Sequence, residues 1–209
     1  MSDHGQHKTP EKRILLFDED YESMRDLKDH IEDEEGWYVE LSAQEELLER
    51  LGRERFDLIV VDLMIHPISF DADGKEVTNV HYEGVNWKQT GLEFIRRLRK
   101  GEYSQASGEG TPPDVPIIVL SAVADQSTEE KIKEAVYPAG AATPPVQSTG
   151  PVQKTGAEGR LPSYIQKPFR LQEMVERIRS LLAVGTPAVG TPAVGTPAVG
   201  TPAVSKPAE

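Results

Sequence analysis

The sequence predicts an α/β domain built on a doubly wound, five-stranded parallel sheet. Short apolar runs alternate with segments whose apolar residues recur at helical spacing. The runs lack the inside-outside alternation of a half-solvated strand, as strands covered on both faces require. Several of them end on polar or acidic residues, which such a fold gathers at the carboxyl rim of its sheet.

The first run, Ile14 to Phe17, is closed by acids, and Met24, Leu27 and Ile31 follow at helical spacing. Trp37 to Leu41 predicts a second strand. Ser42 with Glu45 has the pattern of a capping box for a helix carrying Leu47, Leu48 and Leu51. Leu58 to Val61 is a continuous apolar strand ending at Asp62. Leu92, Phe94, Ile95 and Leu98 mark a third helix, and Ile117 to Leu120 a fourth strand. Ser127 with Glu130 suggests the cap of the next helix. Tyr164 to Gln166 is a short fifth strand, and Leu171, Met174, Val175, Ile178, Leu181 and Leu182 line the last helix.

Three stretches interrupt the alternation. Pro67 to Thr90 contains Asp73-Gly74 between apolar flanks, a hairpin signal, and Ile68, Phe70, Val77, Val80, Tyr82, Val85 and Trp87 offer enough apolar surface for an ordered cover. Thr143 to Pro162 is rich in Pro, Gly, Thr and Gln and reads as a disordered surface loop. Beyond Val184, Gly-Thr-Pro-Ala-Val occurs four times, starting at Gly185, Gly190, Gly195 and Gly200. A proline in every unit forbids a continuous helix, so residues 185–209 read as a low-complexity tail. The polar residues 1–12 read as a disordered N-terminus, leaving one core in residues 13–184.

Composition narrows the function. The net charge of -12, from 35 acidic against 23 basic side chains, argues against nucleic acid as a partner, because phosphate binding rests on Lys and Arg. With no cysteine, thiolate catalysis and Cys-ligated zinc are excluded, and a reducing cytoplasm is the expected setting. The apolar runs are too short to span a bilayer, and the start of the chain is not that of a secretory signal, so no membrane association is expected.

The chemistry concentrates at the strand ends. Asp18 and Glu19 close the first strand, Asp62 the third, Ser121 the fourth and Lys167 the fifth, positions that a doubly wound sheet brings to one rim. Clustered carboxylates repel unless a cation neutralises them, and an all-oxygen set suits Mg²⁺. A carboxylate nucleophile, a metal, an ammonium and a hydroxyl are together what phosphoryl transfer uses. Singly, each carboxylate is equally well a cap or a solvated turn.

Ile14-Leu15-Leu16-Phe17-Asp18-Glu19-Asp20, Asp57-Leu58-Ile59-Val60-Val61-Asp62-Leu63-Met64, Pro116-Ile117-Ile118-Val119-Leu120-Ser121-Ala122 and Tyr164-Ile165-Gln166-Lys167-Pro168-Phe169 occur in that order. In these motifs, from about Arg13 to Leu182, the chain resembles the receiver domains of two-component response regulators. The resemblance implies a flavodoxin-like (CheY-like) three-layer sandwich. It implies that Asp62 accepts a phosphoryl group, with Asp18, Glu19, Asp62 and the Met64 carbonyl holding Mg²⁺. Lys167 and Ser121 would contact the phosphoryl group, and Ser121 and Tyr164 would form the switch. The implied partners are a sensor histidine kinase or phosphotransfer protein and a downstream protein target, with the chain a monomer or weak homodimer and no enzyme beyond its own phosphorylation and dephosphorylation.

The chain departs from the family in two places. Pro67 stands a residue later than the family's proline, and Gly91, which opens the next helix, follows only after the enlarged 67–90 stretch. The spacing from Ser121 to Lys167 is about double the family's, which leaves room for the Pro-rich insertion; loop closure makes both tolerable. One rival reading is an unphosphorylated receiver-like interaction module. Another is a haloacid-dehalogenase-like phosphatase using Asp18, although Glu22 stands where that family has Thr or Val. The histidines, including His66 and His81, lack metal-ligand spacing and read as surface residues, and Asp71 to Gly74 reads as turn chemistry. Arg96, Arg97, Arg99 and Lys100 read as complements to a helix dipole.

Overall fold

The computed structural model describes residues 12–71, 73–105, 110–122, 125–137 and 163–184. The predicted N-terminus, the Pro-rich loop and the repeat tail lie outside the described residues. Strands β1 (Arg13–Phe17), β2 (Tyr38–Leu41), β3 (Leu58–Asp62), β6 (Ile117–Ser121) and β7 (Ser163–Gln166) form one parallel sheet in the order β2-β1-β3-β6-β7. Two further strands, β4 (Ser69–Phe70) and β5 (Glu76–Thr78), pair antiparallel as a separate hairpin. The helices are α1 (Tyr21–Glu35), α2 (Glu45–Leu51), α3 (Thr90–Arg99), α4 (Gln126–Val136) and α5 (Leu171–Val184). The predicted fold class is the one observed.

The pleat divides the core into two layers. Ile14, Leu16, Leu58, Val60, Ile118 and Leu120 face α1 and α5, against Met24, Leu27, Ile31, Met174, Val175, Ile178 and Leu182. Leu15, Phe17, Ile59, Val61, Ile117 and Val119 face the other way, against α2, α3 and α4. Covering both faces explains why these strands are apolar at successive positions. Each large apolar side chain so buried contributes about 1.5–3 kcal/mol of transfer free energy.

Local residues close both ends of the first helix. The Asp20 side chain accepts from Ser23 N–H at 3.1 Å at the start of α1, and Gly36 closes it in the left-handed region at φ 65°. The two serine caps predicted further on are not the ones used. At α2 the N-cap residue is Gln44, and the first amide, Glu45 N–H, is taken instead by the Asn79 side chain at 2.6 Å. At α4 the cap is Asp125, accepting from Thr128 N–H at 2.8 Å, two residues before Ser127. In both cases a carboxylate or amide oxygen outcompetes the hydroxyl for the free amides.

The 67–90 stretch is built much as its composition suggests, with one exception. The Asp71 carboxylate accepts from Asp73 N–H at 3.0 Å and Lys75 N–H at 2.9 Å, forming the turn at Gly74, whose φ is 76°. Thr78 bridges to Ala43, and Asn79 and Val80 N–H both donate to the Ala43 carbonyl, at 3.3 and 3.2 Å. Val77, Val80 and Tyr82 are buried. Ile68, Phe70 and Trp87, predicted to pack, are instead exposed, the first two at the short hairpin and Trp87 in the helical turn that leads into α3.

Candidate functional site

The carboxyl ends of β1, β3, β6 and β7 meet at one rim. Asp18 follows β1 directly and is 1% exposed, and Asp62 is the last residue of β3 and 6% exposed. Lys167, just after β7, lies between them, its Nζ donating to Asp18 Oδ2 at 2.8 Å and to Asp62 Oδ2 at 2.6 Å. The remaining oxygens are held by the backbone: Asp18 Oδ1 accepts from Asp20 N–H at 2.9 Å, and Asp62 Oδ1 from Met64 N–H at 3.1 Å. Both carboxylates are therefore fixed in position.

Ser121 ends β6 beside them, and its carbonyl accepts from Lys167 N–H at 2.9 Å, which ties the lysine's backbone to the neighbouring strand. Tyr164 lies in β7 two strand-widths from Asp62. Burial raises the pKa of its phenol, against a hydrogen bond from Ser121 that lowers it. The two residues expected to act as a switch are thus in direct contact. The Lys167-Pro168 peptide bond is cis.

The charges at the rim do not balance. Burial, and then the charge of Asp62, push the Asp18 carboxyl up to about 6, despite the ammonium beside it. Burial works against the Lys167 ammonium, but the charges of Asp18 and Asp62 and their hydrogen bonds outweigh it, leaving its pKa raised. Two buried carboxylates share one cation, so the pocket retains negative charge. An all-oxygen donor set with unmet negative charge fits a hard divalent cation such as Mg²⁺.

Glu19 departs from the expected grouping. Its Oε2 accepts a short hydrogen bond from His66 N–H and lies 3.4 Å from Ser69 Oγ, so its carboxylate faces the enlarged loop rather than the two aspartates. Among the described residues no three His, Asp or Glu side chains are gathered as a metal site. The structure thus brings together Asp18, Asp62, Lys167 and Ser121, places Met64 beside them through its amide, and turns Glu19 aside. The contacts of His66 and Ser69 with Glu19 have no signature in the sequence, since they join residues far apart in the chain.

Gly91 is a second residue whose role the sequence did not announce. It lies in the first turn of α3, with its N–H donating to the Leu63 carbonyl at 3.1 Å, and a Cβ there would come within 1.8 Å of the Asp62 carbonyl oxygen. Only glycine lets the helix start press on the backbone that carries Asp62.

No family model matches the chain, and no curated protein matches it in sequence. Among solved structures it is similar to the receiver domain of the Francisella response regulator 1452, with a TM-score of 0.50 and 18% identity, covering 85% of this chain and 100% of that one. This chain has the receiver fold. A response regulator from Thermotoga maritima is 24% identical, with a TM-score of 0.47, over 82% of this chain and 98% of that one. A CheY-like receiver domain protein from Methanospirillum hungatei is 20% identical, with a TM-score of 0.47, over 83% and 94%. At these identities the likeness concerns the receiver fold alone, and the chemistry rests on the rim. Among the described residues no helix is long and apolar enough to cross a membrane.

Proposed function

We propose that the chain is a phosphoacceptor receiver, taking a phosphoryl group on Asp62 from a histidine kinase or phosphotransfer protein and signalling by a change of conformation. The observation that carries this reading is the Lys167 ammonium bridging Asp18 and Asp62 at the carboxyl rim of a receiver-fold sheet.

In this reading an Asp62 carboxylate oxygen attacks the phosphorus of a donor phosphohistidine. The new O–P bond forms as the N–P bond breaks, and the donor's imidazole nitrogen takes up a proton. Lys167 neutralises charge on the phosphoryl oxygens, and the Ser121 hydroxyl donates to one of them, so that its bond with Tyr164 is rearranged. Asp18 and Asp62, with Glu19 and the Met64 carbonyl, would hold Mg²⁺, which would add positive charge to stabilise the transferring group. The backbone bonds to Asp18 Oδ1 and Asp62 Oδ1 keep both carboxylates aimed at the rim. The residues 13–184 form the receiver, and the protein turns over only its own aspartyl phosphate.

Incubation with acetyl phosphate and Mg²⁺, read by intact mass, tests this. One acid-labile phosphoryl adduct is expected, lost in Asp62→Asn and in EDTA. An adduct that survives Asp62→Asn and disappears in Asp18→Asn would favour the phosphatase-like use of Asp18. No adduct under any condition would favour the unphosphorylated interaction module.

A further inference from the structure

Glu19 is asked to serve two sites at once. It stands next to Asp18 at the acidic rim, yet its Oε2 is engaged by His66 N–H and by the Ser69 hydroxyl. Both donors belong to the enlarged segment between β3 and α3, and Ser69 opens its hairpin.

The rest of that segment is fastened elsewhere. Its far side is held by the Thr78 bridge to Ala43, by the Asn79 and Val80 amides on the Ala43 carbonyl, and by the buried side chains of Val80 and Tyr82. Tyr82 Oη is bonded to Tyr103 Oη at 2.6 Å. The near side, at 66–69, has no comparable apolar anchor, since Ile68 is 55% exposed and the His66 ring meets only the edge of Trp87 at 5.6 Å. Its polar hold on the acidic rim is Glu19.

We infer that His66 and Ser69 are positioning residues for Glu19, and that the 66–69 turn and the cation at the rim compete for this carboxylate. With the turn in place, Glu19 is directed away from Asp18 and Asp62. Drawing Glu19 toward a cation between the aspartates breaks its bonds to the turn. Because the linkage is reciprocal, whatever fastens the turn weakens cation binding, and cation binding loosens the turn. The inference rests on the receiver reading for the place of the cation, while the residues that compete are this chain's own.

The test uses the full-length protein without any phosphodonor. Mg²⁺ affinity is measured by calorimetry for the parent and for Ser69→Ala, and amide hydrogen exchange is followed with and without Mg²⁺. Removing one hydrogen bond that opposes the cation should tighten Mg²⁺ binding by about two- to tenfold. Mg²⁺ should speed exchange of the His66 amide by on the order of tenfold, leaving the Asn79 and Val80 amides unchanged. Slowed or unaltered exchange at His66, with equal Mg²⁺ affinity in the two proteins, overturns the competition while leaving the receiver reading intact. If no Mg²⁺ binds at all, the competition and the assigned cation site both fall. Glu19→Gln supplies a control: its His66 amide should exchange at one rate with or without Mg²⁺, and a Mg²⁺-dependent rate there overturns the competition.

Discussion

At the scale of single residues, the tightest constraint on the site is steric and comes from Gly91. Helix propensity alone favours alanine over glycine within a helix by about 0.5–1 kcal/mol. Here the added methyl would fall 1.8 Å from the Asp62 carbonyl oxygen, against backbone that cannot swing aside. The clash outweighs the propensity gain, so Gly91→Ala should destabilise the fold by about 1–3 kcal/mol in urea denaturation. It should also slow acetyl phosphate labelling, because the strand end carrying Asp62 must shift. An alanine variant as stable as the parent would show that α3 can slide off β3 without cost. Arg99 is the other residue whose role outran its pattern. It reads as a dipole complement in a basic cluster, but its guanidinium is part-buried and donates to the carbonyls of Val136, Val115 and Pro113, at 3.2 Å to the first and 2.9 Å to the second. Burial lowers its pKa to about 10, which leaves it charged at neutral pH. A lysine has no planar fork with which to reach three carbonyls, so Arg99→Lys should cost about 1–3 kcal/mol by the same measurement. A loss below about 0.5 kcal/mol, the range of ordinary surface substitutions, would refute the clamp.

At the scale of elements, what was legible and what was not follow from the range of the interactions. Leu58–Asp62 could be read as a buried parallel strand because covering both faces leaves a local signature, an unbroken apolar run. The Lys167 bridge was legible only as a set of residue types at strand ends, since which oxygen meets the ammonium depends on three strands at once. The cap of α2 differs from the local Ser-x-x-Glu pattern because Asn79 reaches Glu45 from a different segment of the chain, whereas at α4 a second local candidate, Asp125, takes the amide. That bond gives a clean prediction. Asn79→Ala removes the only side-chain cap on Glu45 N–H among the described residues and should cost about 1 kcal/mol in thermal or urea unfolding, with acetyl phosphate labelling unchanged. An equal loss of labelling would show that the insertion acts on the site through α2. The turn of Glu19 toward the loop was hidden for a related reason: a carboxylate at a strand end has several directions open to it, and here the choice is made by the His66 amide and the Ser69 hydroxyl, which no spacing rule connects to it.

At the scale of the whole molecule, the 67–90 segment is part of the domain rather than an appendage. It buries Val77, Val80 and Tyr82 while leaving Ile68 and Phe70 55% and 62% exposed. Replacing the whole segment would therefore confound stability with access. The cleaner experiment is the double change Ile68→Ser and Phe70→Ser, which should leave the melting temperature within about 2 °C, as surface substitutions do. Labelling by acetyl phosphate should be unchanged, and transfer from a phosphorylated protein donor should change. If transfer from both kinds of donor is unaltered, the exposed pair plays no part in access. The Asn79 cap also bears on how the chain is made. Synthesis runs from the amino terminus, so Glu45–Leu51 leaves the ribosome well before the residue that satisfies its first amide. A helix of that length is too short to hold together in water by itself. Nascent chains ending before Asn79 thus carry this stretch uncapped, and it takes its final form only when the later segment emerges and folds back over it.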